Sequence, residues 1–439
     1  MTTLRRSLGI WELLVLGIIL VQPTAPMPLF GVVHQAAKGH VATAVLIGMV
    51  AMLFTAMSYG RMARVYPSAG SAYTYVGQEI HPVAGFLTGW SMLLDYVINP
   101  VICTIWCAKA AGNFAPQIPE RVWDVIFAVA FTYLNLRRVR TTARANAVMA
   151  GVMMLVVGWV LVAIVRYLMG QPHLDAGLFT RPFYDPATFA WDKLGAGTAL
   201  AVLTYIGFDG ISTLSEEADN PRRNIPLAML LICLVVGVLS TLEVYAAQLI
   251  WPSKEAFPDN DTAYVYVAAR AGGMLLFQVV NFTLLVANMG SGAGGQLSGA
   301  RLLFGMGRDN VLPRSVFGVI HPVTHVPANN VMIIGLLCVV GAFSMTYEFG
   351  AELLNFGAFI GFMGVNAAAF LLAWRNGTRT VMGLTPPLLG FLICLVIWLN
   401  LSSTSKGVGA LWLTMGAIYG WWKTDGFKTV VKFEAGTEQ

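Results

Sequence analysis

The chain of 439 residues is 57% hydrophobic and only 11% charged, whereas a soluble domain carries about 25% charged residues. So few charges cannot cover a water-facing surface, which excludes a soluble protein. Apolar stretches of about 20 residues, enough to cross a hydrocarbon core of about 30 Å, recur from Leu13 to Trp422 with short polar gaps. The expected class is an all-α membrane protein, residues 1–439 forming a single polytopic domain.

Hydropathy predicts about twelve spans, at 11–33, 41–65, 82–112, 121–137, 145–169, 193–215, 226–251, 262–290, 328–347, 352–374, 387–402 and 408–422. The first follows Arg5 and Arg6 in the manner of a signal peptide, but it lacks a small-residue cleavage site and contains Gln22 and three prolines. It reads as a retained span. Pro23, Pro26 and Pro28 each delete an N–H and disfavour helix in the preceding residue. After span two, Pro67 and Gly70 break the chain, and the Tyr-rich turn that follows suits the membrane interface.

Span three carries Asp95 near its middle, beside Tyr96 and Asn99. An ionisable group at a span centre costs about 2.5–3.5 kcal/mol on insertion scales, so it is a functional candidate by default. A carboxylate there suits an ammonium group. Span six is broken in turn: Tyr205-Ile206-Gly207-Phe208-Asp209-Gly210 puts two glycines around a carboxylate. Asp209 can meet either the substrate or a proton relay, and Phe208 can stack over a bound substrate as a lid. Asn220-Pro221 ends that helix, and Pro226 suits the first turn of the next. Glu243 in span seven is a third intramembrane acid without a surrounding motif.

Either break alone has a bland explanation, a proline kink or a tight packing site. Together, about a dozen residues into spans five apart, they mark an inverted-repeat transporter with substrate bound between them. The repeats would be 11–169 and 193–374, with two additional helices over 387–422. Arginine and lysine concentrate in alternate loops, from Arg5 and Arg6 through Arg61, Arg222 and Arg375 to Lys428. That places both termini in the cytoplasm. The formal charge of +5 is then a topology signal in a multi-pass cytoplasmic (inner) membrane protein, with the lipid bilayer and not nucleic acid as its partner.

Several segments resemble the amino acid–polyamine–organocation transporters, which have a LeuT-like core of five helices plus five inverted, with spans one and six discontinuous. They are Tyr66–Tyr75 with its Pro67, Gly70, Ser71 and Tyr73; Ser215–Pro226; and Arg301–Pro313. Ala25–Phe30 and Gly89–Tyr96 look most like the bacterial putrescine-importer branch. The resemblance implies a secondary active transporter working by alternating access. In the family an acidic residue at the position of Asp209 is linked to gating and pH sensing. Asp209, Glu216 and Arg301 are therefore the coupling or gating candidates; Arg301, Arg308 and Asp309 can seal a cytoplasmic gate by pairing or serve as topology signals.

Relatives that take α-amino acids hold the carboxylate on free N–H groups at a glycine-rich break in span one, helped by the half-helix dipole. Here three prolines remove donors and no glycine lets the backbone approach. An amine or diamine such as putrescine is favoured. A zwitterionic amino acid is the alternative, because Thr24, Ala25, Met27 and Leu29 keep their N–H groups. The substrate-binding candidates are Thr24, Ala25, Met27, Asp95, Tyr96, Asn99, Tyr205, Gly207, Phe208 and Asp209. No cofactor is expected. Span five lacks the lysine that some proton-coupled relatives carry, while Thr283, Asn288 and Ser291 can supply oxygens for sodium. A proton through Asp209 is the expected coupling ion, with Na+ the alternative.

Other classes fit less well. A channel wants rings of polar residues along a continuous pore, and a receptor wants a signalling domain that the tails are too short to form. An enzyme or metal protein wants a nucleophile or metal motif. None of the six histidines makes a His-Glu-x-x-His helix, and the five cysteines lie in apolar stretches without paired spacing.

Overall fold

In the computed structural model the described residues are 8–67, 71–137, 143–173, 175, 177–215, 217–251, 255–308, 312–322, 324, 326–377 and 380–424, the side chains of 143–146 excepted. Among them the chain forms fifteen α-helices and no β-strand. Each of the twelve predicted spans coincides with a helix or a broken pair of helices. Eight of these are long and apolar enough to cross a membrane, and Ile10–Val21 and Ala328–Ser344 are shorter apolar helices.

Span one is two helices, α1 (Ile10–Val21) and α2 (Phe30–Ala36), joined by turns through the prolines. Gln22 ends α1 at φ 68°. Span two is α3 (Val41–Val65). The Tyr-rich segment after it is not an interfacial turn but a helix, α4 (Ser71–Glu79). Ala72, Tyr75, Val76 and Glu79 recur at helical spacing and are buried, and Tyr75 packs edge-on against Tyr59 at 6.1 Å. Spans three to five are α5 (Pro82–Gly112), α6 (Glu120–Leu136) and α7 (Ala143–Met169).

Span six begins as α8 (Trp191–Ala201), tightens to 3-10 geometry over Val202–Tyr205, breaks at Ile206 and Gly207, and resumes as 3-10 turns over Phe208–Leu214. Span seven, α9 (Pro221–Ile250), starts five residues before the predicted position because Pro221 takes the first turn; Pro226 lies inside the helix with its ring against Gly60. Span eight, α10 (Ala263–Arg308), breaks at Gly273 (φ 76°, ψ −170°) and continues as helix well beyond residue 290. After the short α11 (Arg314–Phe317) come α12 (Ala328–Ser344), α13 (Tyr347–Arg375), α14 (Val381–Leu399) and α15 (Ser403–Lys423).

The two broken spans run antiparallel. α1 lies beside the second half of span six, and α2 beside its first half, with Gly197 against Ala37. Spans two and seven (α3, α9), three and eight (α5, α10) and four and nine (α6, α12) also pack as pairs, while α13 lies along α5 and carries α14 and α15.

Lipid is as apolar as leucine, so helices in a membrane associate through close packing and interhelical hydrogen bonds. One buried knot ties three spans. Gln296 of α10 donates to Thr132 Oγ1 of α6 (2.9 Å) and the Val331 carbonyl of α12 (3.1 Å), and its Oε1 accepts from Asn135 Nδ2 (2.8 Å). Gln296→Leu removes all three bonds and leaves Thr132 and Asn135 short of partners. With each bond worth about 0.6–1.7 kcal/mol, we expect a lower unfolding temperature in detergent with substrate affinity unchanged. An unchanged melting curve would show that the knot contributes nothing.

Candidate functional site

The two breaks meet. Gly207 has φ 115°, a conformation that suits glycine, and a Cβ added there would stand 3.2 Å from the Leu20 carbonyl at the end of α1. Gln22, at the same end of α1, donates from Nε2 to the Ala287 carbonyl of α10 (3.3 Å).

Asp209 and Asp95 share this region. Both lie deep in the bundle yet keep partly accessible side chains, as does Tyr96, which is how residues lining an internal cavity behave. Asp209 is within electrostatic reach of Asp95, Tyr96 and Tyr59. Asp95 has no hydrogen-bond partner among the described residues. Two deeply placed carboxylates within electrostatic reach repel each other, and a cation between them would relieve that repulsion.

The backbone of both breaks is poor in free donors. In span one, Pro23, Pro26 and Pro28 have no N–H, Ala25 donates to the Gln22 carbonyl (3.2 Å) and Met27 to the Thr24 carbonyl (3.1 Å). In span six the Gly207 N–H donates to Asp209 Oδ1 (3.3 Å), and the Gly210 N–H to the Gly207 carbonyl (3.1 Å). An incoming carboxylate would compete with these turns and with Asp209's own charge.

The remaining predicted residues divide. Thr24 and Met27 are buried at the break, each about 1% exposed, and Ala25 is half-buried. Tyr205 is buried and donates to the Val45 carbonyl (2.8 Å), so its hydroxyl ties span six to α3. Phe208 is fully buried between Tyr59 and Phe362, with ring centroids 5.7 and 5.6 Å away, and packs in an aromatic cluster. Asn99 lies over Gly295 of α10 and accepts from the Cys103 thiol (3.9 Å). Thr283 and Asn288 bond carbonyls of their own helix, at Val279 (2.8 Å) and Leu284 (2.9 Å). Arg301 is exposed on α10, which is helical where a loop was expected. Glu216 and Asp309 lie outside the described residues.

The chain matches the family model described as amino acid permease over residues 27–426. It is 34% identical over 428 residues to the low-affinity putrescine importer PlaP of Escherichia coli K12, covering 95% of this chain and 93% of the importer. It is 27% identical to the branched-chain amino acid permease BcaP of Lactococcus lactis over 436 residues, covering 93% of this chain and 92% of that protein. It is also 25% identical to human cationic amino acid transporter 4 over 410 residues, covering 86% of this chain and 61% of that one. The chain belongs to the amino acid permease family.

The permease is thus a multi-pass membrane protein and a secondary transporter of the class that moves amines and amino acids, not an enzyme. Its site is flanked by two sets of contacts that sequence reasoning missed. On the α1 side, Leu8 exchanges backbone bonds with Glu217 (3.1 Å) and Asp219 (2.9 Å), and Ser71 of α4 meets Ser212 of span six at 2.6 Å. On the α2 side, the 255–262 loop is fastened to spans one and three. Asn260 donates to Gln35 of α2 (2.6 Å), Lys109 of α5 pairs with Asp261 (2.8 Å), and Trp106 donates to the Asp261 carbonyl (2.7 Å). The charges at 109, 259 and 261 were visible in sequence, but their pairing was not.

α2 needs glycine to sit under this loop. A Cβ on Gly31 would stand 2.0 Å from the Asn260 carbonyl. Gly31→Val in the permease should therefore displace the loop and cut initial uptake about tenfold or more, a loss typical of a misplaced binding element. Uptake at the wild-type rate would show that the loop position does not matter.

Proposed function

We propose that the permease imports a small amine, putrescine or a close diamine, across the cytoplasmic membrane by alternating access, coupled to protons. One observation carries this: the breaks offer little free backbone N–H, while Asp209 at the span-six break lies within electrostatic reach of Asp95 on α5. An ammonium group finds a counter-charge there, and a carboxylate group does not. The similarity to a putrescine importer supports the same reading.

In this reading spans 11–169 and 193–374 are the inverted repeats. The antiparallel broken spans and the pairing of two with seven, three with eight and four with nine support it. The basic loops favour cytoplasmic termini. Asp209 takes part in proton coupling. A second reading, a zwitterionic amino acid permease or exchanger, is favoured by the similarity to BcaP and by the N–H groups of Thr24 and Leu29, which lie outside the turn bonds described above.

Uptake into proteoliposomes tests the proposal, with radiolabelled putrescine under a proton gradient or a sodium gradient imposed separately. Accumulation under the proton gradient alone is expected. Accumulation driven only by sodium would reverse the coupling reading.

A further inference from the structure

Away from the amine cavity, α9 carries a second polar feature. Glu243 is 0% exposed, and neither of its carboxyl oxygens has a hydrogen-bond partner among the described residues. Ser240, three residues earlier on the same helix face, is equally buried, and its hydroxyl is equally unpartnered. Buried polar groups are nearly always paired, and an ionised carboxylate left alone in apolar surroundings is among the costliest arrangements a protein can hold.

Register fixes what faces it. The Ala42 N–H donates to Gln248 Oε1 (3.1 Å), and Met49 packs on Gly237, so residues 42–49 of α3 lie opposite 237–248 of α9. That stretch of α3 is apolar except for Thr43, whose hydroxyl donates to the Phe183 carbonyl (2.7 Å). From α10, the Tyr264 hydroxyl reaches the Glu243 backbone carbonyl at 3.5 Å and is within electrostatic reach of the carboxyl. The Tyr264 ring stands edge-on to Phe30, 5.6 Å away, and Phe30 opens α2 just past the break in span one.

The other ionisable groups on neighbouring elements are engaged or remote. Tyr205 of span six bonds the Val45 carbonyl, and His34 of α2, whose buried Nε2 has no partner among the described residues, packs on the rings of Phe30 (5.9 Å) and Phe257 (5.2 Å). Arg270 of α10 pairs with Glu255, Glu12 of α1 and Arg166 of α7 are exposed, and Tyr167 is half-buried.

We propose that Glu243 is a proton-carrying site of the transporter, read out through Tyr264 and Phe30 by the outer half of span one. A hard divalent cation needs about six oxygens or more, whereas a proton needs one, and the side-chain oxygens here are one carboxyl and the hydroxyls of Ser240 and Tyr264. In the step itself a hydronium ion on one side gives its proton to a Glu243 oxygen, forming one O–H bond and leaving water. On the other side that bond breaks and water takes the proton. No oxidant or leaving group is involved. Movement of α2 shifts Phe30 and Tyr264, which opens the carboxyl to water on one side at a time.

The inference rests on the proton-coupled reading above, and the test separates the two. Radiolabelled putrescine is added to proteoliposomes containing a pH-sensitive dye. With Glu243→Gln we expect gradient-driven accumulation and proton flux to fall about tenfold or more, while putrescine exchange at equal pH stays within about threefold of wild type. Gradient-driven accumulation retained in E243Q would overturn the Glu243 site alone. A wild-type protein indifferent to the pH gradient would overturn the coupling reading, and this inference with it. Infrared spectroscopy gives an answer that needs no substrate and no stable E243Q. A carboxylic-acid band in wild type should shift in Glu243→Asp, and a wild-type spectrum without a band that so shifts would overturn the site.

Discussion

Asp95→Asn should leave a folded transporter that binds putrescine about a hundredfold more weakly. The substitution keeps the shape of the side chain and removes one of two carboxylates within electrostatic reach of each other. Asp95 has no hydrogen-bond partner among the described residues, so its replacement breaks no structural bond. In the proposed reading it removes the counter-charge for a desolvated ammonium group. Truncating one member of a buried charge pair costs about 2–5 kcal/mol, and about 2.8 kcal/mol is a hundredfold in Kd. Equilibrium binding of labelled putrescine to purified protein measures this, with a thermal unfolding curve as the control. An unchanged Kd would remove Asp95 from the site.

Gly207→Val should nearly abolish uptake and destabilise the fold as well. At φ 115° a β-branched residue is strained by about 1–3 kcal/mol, and its first side-chain atom would press on the Leu20 carbonyl at 3.2 Å. The clash falls where α1 ends against the span-six break, so relief requires one broken span to move away from the other. Asp209, two residues on, would then lose the Gly207 N–H that positions it. Transport assays with the unfolding temperature measured in parallel check the expectation. Wild-type uptake in Gly207→Val would mean that the closeness of the two breaks is incidental.

The membrane class and the spans were legible because a long apolar helix announces itself by composition, and the breaks because proline and glycine do so locally. The continuation of α10 was not. Residues 290–299 are rich in glycine and serine and look like a breaker, yet in a packed membrane helix small residues permit close approach. Gly292 faces Phe131 and Cys103, and Gly295 faces Asn99.

Asp95 and Asp209 were visible as mid-span acids. That they come within electrostatic reach of each other depends on the tertiary placement of α5 relative to span six, which no local pattern encodes. Phe208 was legible as an aromatic beside a break, but its partners, Tyr59 and Phe362, lie about 150 residues away on either side. Likewise the prolines of span one announced missing donors, whereas the capture of the Ala25 and Met27 N–H groups follows from the turn geometry. That capture moves the balance further from a carboxylate than sequence alone could.

In the proposed function these breaks hold an amine without a carboxylate. Ornithine is putrescine bearing one added α-carboxylate, so the pair isolates that group. Competition of each against labelled putrescine on the purified wild-type protein is the direct measurement. We predict that putrescine binds at least about tenfold more tightly, the equivalent of about 1.4 kcal/mol. Ornithine binding as tightly as putrescine, or more tightly, would contradict the account.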